Sequence, residues 1–406
     1  MKQAILACLV FFTAFTAAPA SAQLESSAQS LIDFERVLDR AAQAPDFVGL
    51  AVAVVRDGEP VLIKTYGVRE AGTNLKVTPD TVFRLASISK GFASTLAALE
   101  VQDHHLAWND PVHSAVPELK LRTTADTAKL TIEHILSHRT GLPPFAYDNL
   151  LEAGIAPLEI LGRYAQVRLI CPVGDCYAYQ NSTYNLIAPV IEAITGETYA
   201  ERLKTRLLDP LGMKSTSLGS QGLISTGNWA MPHIRRGGSY EAVPVKEAYY
   251  RLPAAAGVNS SINDMATWLA AMIGDRPDVV PPAVLDDLRA SRTSTPADLR
   301  RHMAQKMPTT RTAYGLGWRT YDYAGHDVVA HSGSVQGYAA QIAYLPQRGS
   351  GIVILSNTRG ARASKLVPTW LDHELGLTPG DWLKLEDAFD DEDSALVGAG
   401  SVSRTD

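Results

Sequence analysis

Cysteine is scarce in this chain. Only Cys8, Cys171 and Cys176 occur in 406 residues, too few for a disulfide-built scaffold, so the fold must rest on a hydrophobic core. Basic blocks are missing as well. Lys and Arg number 37 against 43 Asp and Glu, for a net charge of -6, which argues against nucleic acid as the main partner. Beyond the N-terminal segment no apolar run is long enough to cross a bilayer. There is no G-x-S-x-G elbow, no phosphate-binding glycine loop and no H-E-x-x-H, which speaks against an α/β-hydrolase, a nucleoside triphosphatase or a zinc protease. His134 and His138 stand four apart on a helical pattern, and the helix accounts for them without a metal. No metal and no cofactor are expected.

What is present is ordinary for a soluble globular protein: 46% hydrophobic and 20% charged residues. The length allows a large core and two lobes. The first residues, MKQAILACLVFFTAFTAAPASAQ, read as a secretory signal over 1–22. Lys2 is a minimal basic region, Ala4 to Ala18 is apolar, and Ala20-Ser21-Ala22 is a small-residue cleavage site before Gln23. Almost no apolar segment precedes Cys8, which argues against a lipid anchor there. Export to the periplasm or medium is therefore expected. Cys171 and Cys176, in CPVGDC, then read as a short-loop disulfide in an oxidising compartment, with two free thiols or half a metal site as the alternatives.

A helix is expected around SLIDFERVLDRAAQ, then a hairpin in VGLAVAVVRDGEPVLIKTYGV about the Asp57-Gly58 turn. From Trp108 to Gln305 helical patterns dominate. TIEHILSHRTGLP is expected to stop at Gly141 and Pro143, NLIAPVIEAITG at Gly196 and INDMATWLAAMIG at Gly274. Three strand-like runs follow, HDVVAHSG, GYAAQIAYLP and GIVILSN, then a helix in SKLVPTWLDHEL. Strands at both ends and helices between predict an α/β (α+β) fold. One antiparallel sheet built from both chain ends would be flanked by helices, beside a mostly helical lobe. A single catalytic domain is expected over 23–377, followed by an acidic solvated tail over 378–406.

The stretch FRLASISKGF holds Ser87 and Lys90. Residues i and i+3 share a helix face, so a nucleophile and a base would stand one turn apart. A serine hydroxyl needs such a base, and a lysine serves only if burial or positive charge lowers its pKa. S-x-x-K alone arises by chance about once in a chain this long, so partners must carry the argument. YAYQNSTYN offers Tyr179 and Asn181, a proton shuttle and an amide to hold the substrate carbonyl. VVAHSGSVQGYAAQ offers His331, Ser332 and Gly333 at a strand end. His331 would bind a carboxylate or assist proton transfer, and Gly333 would let substrate lie close to the backbone.

These three motifs, in this order, resemble those of the serine β-lactamase and penicillin-binding family, nearest its class C β-lactamase and serine DD-peptidase branch. The resemblance spans roughly Asp33 to Leu377 and includes TIEHILSHRTGLP, NLIAPVIEAITGETY, LLDPLGMKST, PAAAGVNSSINDMATWL and YGLGWR. It implies a β-lactamase/transpeptidase-like fold. It implies Ser87 as acylated nucleophile, Lys90 as base or relay, Tyr179 as second acid/base and Asn181 as amide contact. His331, Ser332 and Gly333 would form the third motif, and the backbone N–H groups of Ser87 and Ser334 an oxyanion hole. Tyr147-Asp148-Asn149 also fits Y-x-N but lacks the following apolar helix. Arg139-Thr140-Gly141 fits the third motif but comes too early. The third motif begins with His where class C enzymes usually carry Lys, a feature of some DD-peptidases, and no class A deacylation loop is found.

The function the resemblance implies is a monomeric class C-like β-lactamase opening its substrate through a Ser87 acyl-enzyme. The alternatives are a D-Ala-D-Ala carboxypeptidase or D-amino-acid peptidase, where β-lactams would be slow inhibitors, and an esterase. A binding protein on the same fold would be expected to have lost part of the site. The partner is in each case a small molecule: a β-lactam, a D-peptide or an ester.

Overall fold

The structure, a computed structural model, describes residues 20–387. The expected signal up to residue 19, with Cys8, and the acidic tail from residue 388 lie outside the described residues. Helix α1 (Ala20–Ala41) begins at the expected cleavage site. None of the described helices is long and apolar enough to cross a membrane.

The expected hairpin forms strands β1 (Gly49–Arg56) and β2 (Glu59–Gly67). Its turn places Asp57 and Gly58 at φ 47° and 78°, the left-handed pair that matches strand twist. The late apolar runs form β6 (His326–Val335), β7 (Tyr338–Leu345) and β8 (Ser350–Ser356). Three shorter strands complete the sheet: β3 (Thr293–Ser294), β4 (Thr312–Tyr314) and β5 (Arg319–Tyr323). They were not expected, since two to five residues carry too little alternation to read. The order is β2-β1-β8-β7-β6-β5-β4-β3, and every pairing is antiparallel. Both chain ends build one sheet, as expected.

Two apolar clusters sit on the two faces of this sheet. One joins alternate sheet residues to the helical region and includes helix α2 (Ser89–Gln102) and helix α3 (Ile262–Ile273). Helix α2 is buried from Ser89 to Glu100, the pattern of a core helix with no solvent face. Phe92 stacks on Trp268 of α3 at 4.0 Å between ring centroids. The other cluster joins α1 to helix α5 (Leu366–Glu374). Helix α4 (Pro296–Ala304) lies near the short-strand edge, its Asp298 paired with Arg319 of β5.

Two boundaries differ from expectation. The helix in TIEHILSHRTGLP spans only Ile132–Leu136. His138 takes a left-handed φ of 58°, which ends the helix before Gly141 is reached. Residues 378–387, counted with the tail above, are packed: Leu383 and Leu385 join the second cluster, and Trp382 donates to Asp372 of α5 at 2.6 Å. The Asp372 carboxylate and the two leucines anchor this segment.

Candidate active site

Ser87 is held in a sharp turn between a strand and α2. Ala86 has φ 49°, a left-handed conformation that costs a residue with a Cβ about 1–2 kcal/mol, and such strain gathers at functional positions. The turn is fixed from both sides. The Ser89 hydroxyl donates to the Ala86 carbonyl at 2.6 Å and accepts from the Val258 N–H at 3.0 Å. Leu85 N–H donates to the Val258 carbonyl at 3.0 Å. Ser87 is half-buried, while Ala86, Ile88, Ser89 and Lys90 are all buried. The motif therefore lifts one hydroxyl out of an otherwise buried turn.

Lys90 is fully buried at the base of the site. Its Nζ donates to Asn181 Oδ1 at 2.8 Å and to the Ala255 carbonyl at 3.0 Å, and lies 3.4 Å from Ser87 Oγ. A neutral amine has two N–H groups and one lone pair. The two fixed acceptors use both N–H groups and leave the lone pair for the serine proton. Burial lowers the Lys90 pKa to about 7, opposed by the Asp148 carboxylate and aided by Arg319. The amine thus titrates near neutrality, where a general base works best.

Asn181 is buried and turned toward the lysine. Its Nδ2 donates to Asp148 Oδ2 at 2.7 Å, so one carboxylate orients the amide that orients the amine. Asp148 was hidden in sequence inside Tyr147-Asp148-Asn149. The tyrosine of that triplet points elsewhere, stacking on Tyr164, and only its neighbour reaches the site. Burial raises the Asp148 pKa, against the hydrogen bond from Asn181 and the charge of Lys90.

Tyr179 is presented by a segment pinned on both sides. Ala178 N–H donates to the His138 carbonyl at 2.9 Å, and Phe145 N–H donates to the Tyr179 carbonyl at 2.9 Å. The Tyr179 hydroxyl hydrogen-bonds Ser87. Lys90 Nζ lies 4.8 Å from its ring centroid and the Arg319 guanidinium 5.6 Å. Burial nevertheless raises the phenol pKa, more than the Ser87 bond and Arg319 lower it. The resting phenol therefore keeps its proton.

The disulfide Cys171–Cys176 forms as expected, just before Tyr179. Its loop is braced by Arg139, which exchanges hydrogen bonds with Gly174 at 2.8 and 3.1 Å. Arg139-Thr140-Gly141 is thus a brace and no part of the third motif. His134 caps its own helix with Thr131, while His138 turns inward, so the pair does not converge. Loss of a loop this short is expected to cost about 2 kcal/mol. Cys171→Ser, Cys176→Ser should lower the thermal midpoint, and alkylation before and after reduction, read by mass, checks the bond itself.

The third motif lies on β6 where that strand loses its neighbour. Pairing with β5 ends at Arg319↔Ala330, whereas pairing with β7 continues from His331↔Ile342 to Val335↔Tyr338. His331 to Val335 therefore have an open edge. Gly333 crosses the nucleophile's turn: a Cβ built there would stand 2.0 Å from the Leu85 carbonyl oxygen and 3.1 Å from Ser87 N. This brings the Ser334 backbone beside that of Ser87. His331 is buried and uses both ring nitrogens within the protein, on Tyr314 and on the Ser332 carbonyl. Burial, then Arg319 and Lys90, hold its pKa well below the usual imidazole value. Ser332 and Ser334 are exposed. A cavity of about 320 Å³ adjoins the motif, lined by Asp298, Arg301, His302, Arg319, Ser332 and Gln341.

Ser87, Lys90, Tyr179, Asn181 and the His331–Ser334 edge thus converge in one cleft, as three separated motifs in the right order require. Residues 34–376 match the Beta-lactamase family. The chain belongs to the Beta-lactamase family. An unguisins hydrolase of Aspergillus campestris (strain IBT 28561) is 31% identical over 369 residues, covering 87% of this chain and 67% of that protein. Penicillin-binding protein 4 of Amycolatopsis lactamdurans is 28% identical over 345 residues, covering 82% and 86%. The octameric penicillin-binding protein homologue from Pyrococcus abyssi matches in structure with a TM-score of 0.73 at 26% identity, covering 90% of this chain and 79% of that one. The chain spans about two thirds of the unguisins hydrolases it matches, 67% of one and 65% of another. Within this Beta-lactamase-family site, motif reading missed Asp148, His138, Tyr314 and Arg319. Each lies in a stretch quoted for other reasons, and the one spacing noted among them, His138 four residues after His134, pointed to a helix face and not to this site.

Proposed function

We propose that the protein is an exported serine hydrolase that cleaves amide bonds of small peptide-like substrates through an acyl-enzyme on Ser87. The observation that carries the reading is the buried Lys90 amine, with both N–H groups spent on fixed acceptors and its lone pair toward Ser87 Oγ at 3.4 Å. Ser87 Oγ attacks the carbonyl carbon while its proton passes to Lys90. The oxyanion is met by the N–H groups of Ser87 and Ser334. The Tyr179 hydroxyl gives its proton to the leaving nitrogen, the C–N bond breaks, and the proton on Lys90 restores the phenol. Water then attacks the ester, losing its proton to the same lysine, and Ser87 is regenerated. All these groups belong to one chain.

The kinship with a hydrolase and with a penicillin-binding protein supports hydrolysis through an acyl-enzyme, and peptide-like amides are the first substrates to test. β-Lactam hydrolysis, with the same steps, is the second reading, supported by the family to which the chain belongs. The two differ in how fast water removes the acyl group. Intact mass after mixing with a penicillin, beside Ser87→Ala, separates them. A lasting adduct on Ser87, absent in Ser87→Ala, is the result expected of a peptidase. Rapid lactam loss without adduct would favour the β-lactamase. No adduct and no lactam loss, followed by cleavage of simple esters only, would favour an esterase. Export is supported by the disulfide, and N-terminal sequencing of the secreted protein should begin at Gln23.

A further inference from the structure

A buried run of hydrogen bonds behind the third motif has one direction. The Gln180 backbone N–H donates to His138 Nδ1 at 3.1 Å, so a neutral His138 carries its proton on Nε2. That nitrogen lies 3.2 Å from the Tyr314 hydroxyl, and the hydroxyl lies 3.1 Å from His331 Nε2. At the far end His331 Nδ1 lies 2.9 Å from the Ser332 carbonyl oxygen, which can only accept, so Nδ1 carries the proton. His138 therefore donates to Tyr314, and Tyr314 donates its single proton to His331. A backbone donor at one end and a backbone acceptor at the other fix every hydrogen between them. All three side chains are buried.

We propose that Tyr314 and His138 are positioning residues that lock His331 as a neutral, Nδ1-protonated imidazole and through it hold the strand edge facing Ser87. The catalytic consequence rests on the Ser87 acyl-enzyme reading; the hydrogen positions do not. In an antiparallel strand the N–H and C=O of one residue point the same way and the next residue's point oppositely. Pairing with β5 has ended at Ala330, and Ser332 and Ser334, two residues apart, point their N–H and C=O groups to one and the same edge of β6. The run thus ends on the stretch of backbone that supplies one oxyanion donor.

Protonating His331 would break the run. Both imidazoles would then donate to Tyr314, and its own hydrogen would lose its acceptor. Of the groups facing His331, Lys90 on α2 and Arg319 on β5 oppose a positive charge there, the Asp298 carboxylate on α4 is engaged by Arg319, and His138, Tyr179 and Tyr314 are uncharged. His331 is thereby removed as a rival base for the Ser87 proton, because its lone pair is occupied. It also brings no positive charge to the substrate.

The test is nitrogen-15 NMR of the full chain labelled at histidine, with His331→Gln and His138→Gln to assign the signals. The expected spectrum shows His331 protonated on Nδ1 and His138 on Nε2, both unchanged from pH about 8 to about 5.5, a range in which an ordinary imidazole titrates. Tyr314→Phe should return His331 to a mixture of tautomers that titrates. It should also slow Ser87 acylation about ten-fold, the loss expected of one oriented hydrogen bond, with little change in KM. The inference is overturned by His331 protonated on Nε2, by its titration in that range with Tyr314 intact, or by unchanged tautomers in Tyr314→Phe. The wild-type spectrum decides the point even if a variant fails to fold. It needs no substrate, so failure of the acyl-enzyme reading would appear separately, as absence of any Ser87 adduct.

Discussion

Lys90→Met should slow acylation of Ser87 by about a thousandfold, within the range lost with a general base. The methionine keeps the length and the apolar packing of a buried side chain, so the loss reports the amine. The pH profile sharpens the test. With the Lys90 pKa lowered to about 7, the amine gains its lone pair as pH rises, and wild-type acylation should climb through about pH 7. The residual rate of Lys90→Met should be flat there. Stability carries the same signature. Between about 7 and the ordinary lysine value of 10.5 the unfolded chain binds the proton that the folded chain has released, so the wild type gains stability as pH rises across that window. Lys90→Met should lose that slope. A variant that kept both the wild-type rate and the ascending limb would remove Lys90 from the mechanism.

Gly333→Ala is expected to lose acylation by about a hundredfold or more, because small misplacements of reacting groups cost that much. The added Cβ would stand 2.0 Å from the Leu85 carbonyl oxygen, and neither partner is a flexible side-chain end. Either the β6 edge or the turn holding Ser87 must move. The movement separates the Ser334 and Ser87 backbones, so attack loses its oxyanion donors. Overpacking of this kind also lowers stability by about 1–3 kcal/mol. Acylation kinetics beside thermal unfolding distinguish the two effects. Wild-type acylation in a folded Gly333→Ala would mean that the strand edge does not lie against the nucleophile.

The sequence announced the elements that are long and periodic. The β1–β2 hairpin, the last three strands, α3 ending at Gly274 and the helix ending at Gly196 all appear where their patterns placed them. It was silent on β3 to β5, whose pairing comes from the edge they extend. It misjudged the helix at Ile132–Leu136, because the terminator is His138 in a left-handed conformation and no residue type announces that. Ser87 and Lys90 were legible as neighbours because helical spacing brings them together locally. Asp148, Tyr314 and His138 were not, since each meets the site only when separate loops close over it. The tyrosine offers a further lesson: burial raises its pKa more than the Ser87 bond and the Arg319 charge lower it.

The pairing of β1 with β8 has a consequence for the order in which the molecule can be made. Leu50 pairs with Ser356 and Arg56 with Ser350, so the first strand to leave the ribosome waits for the last strand of the sheet. Contacts this distant in sequence form slowly, because a long loop must close before they stabilise anything. During synthesis β1 and β2 are a lone hairpin, which is marginal in water. The turn bearing Ser87 has no β6 edge to lean on. The nascent chain is therefore without a working cleft until its final quarter has emerged, and a chain threaded unfolded through a translocation channel would reach the far side with its nucleophile still unassembled.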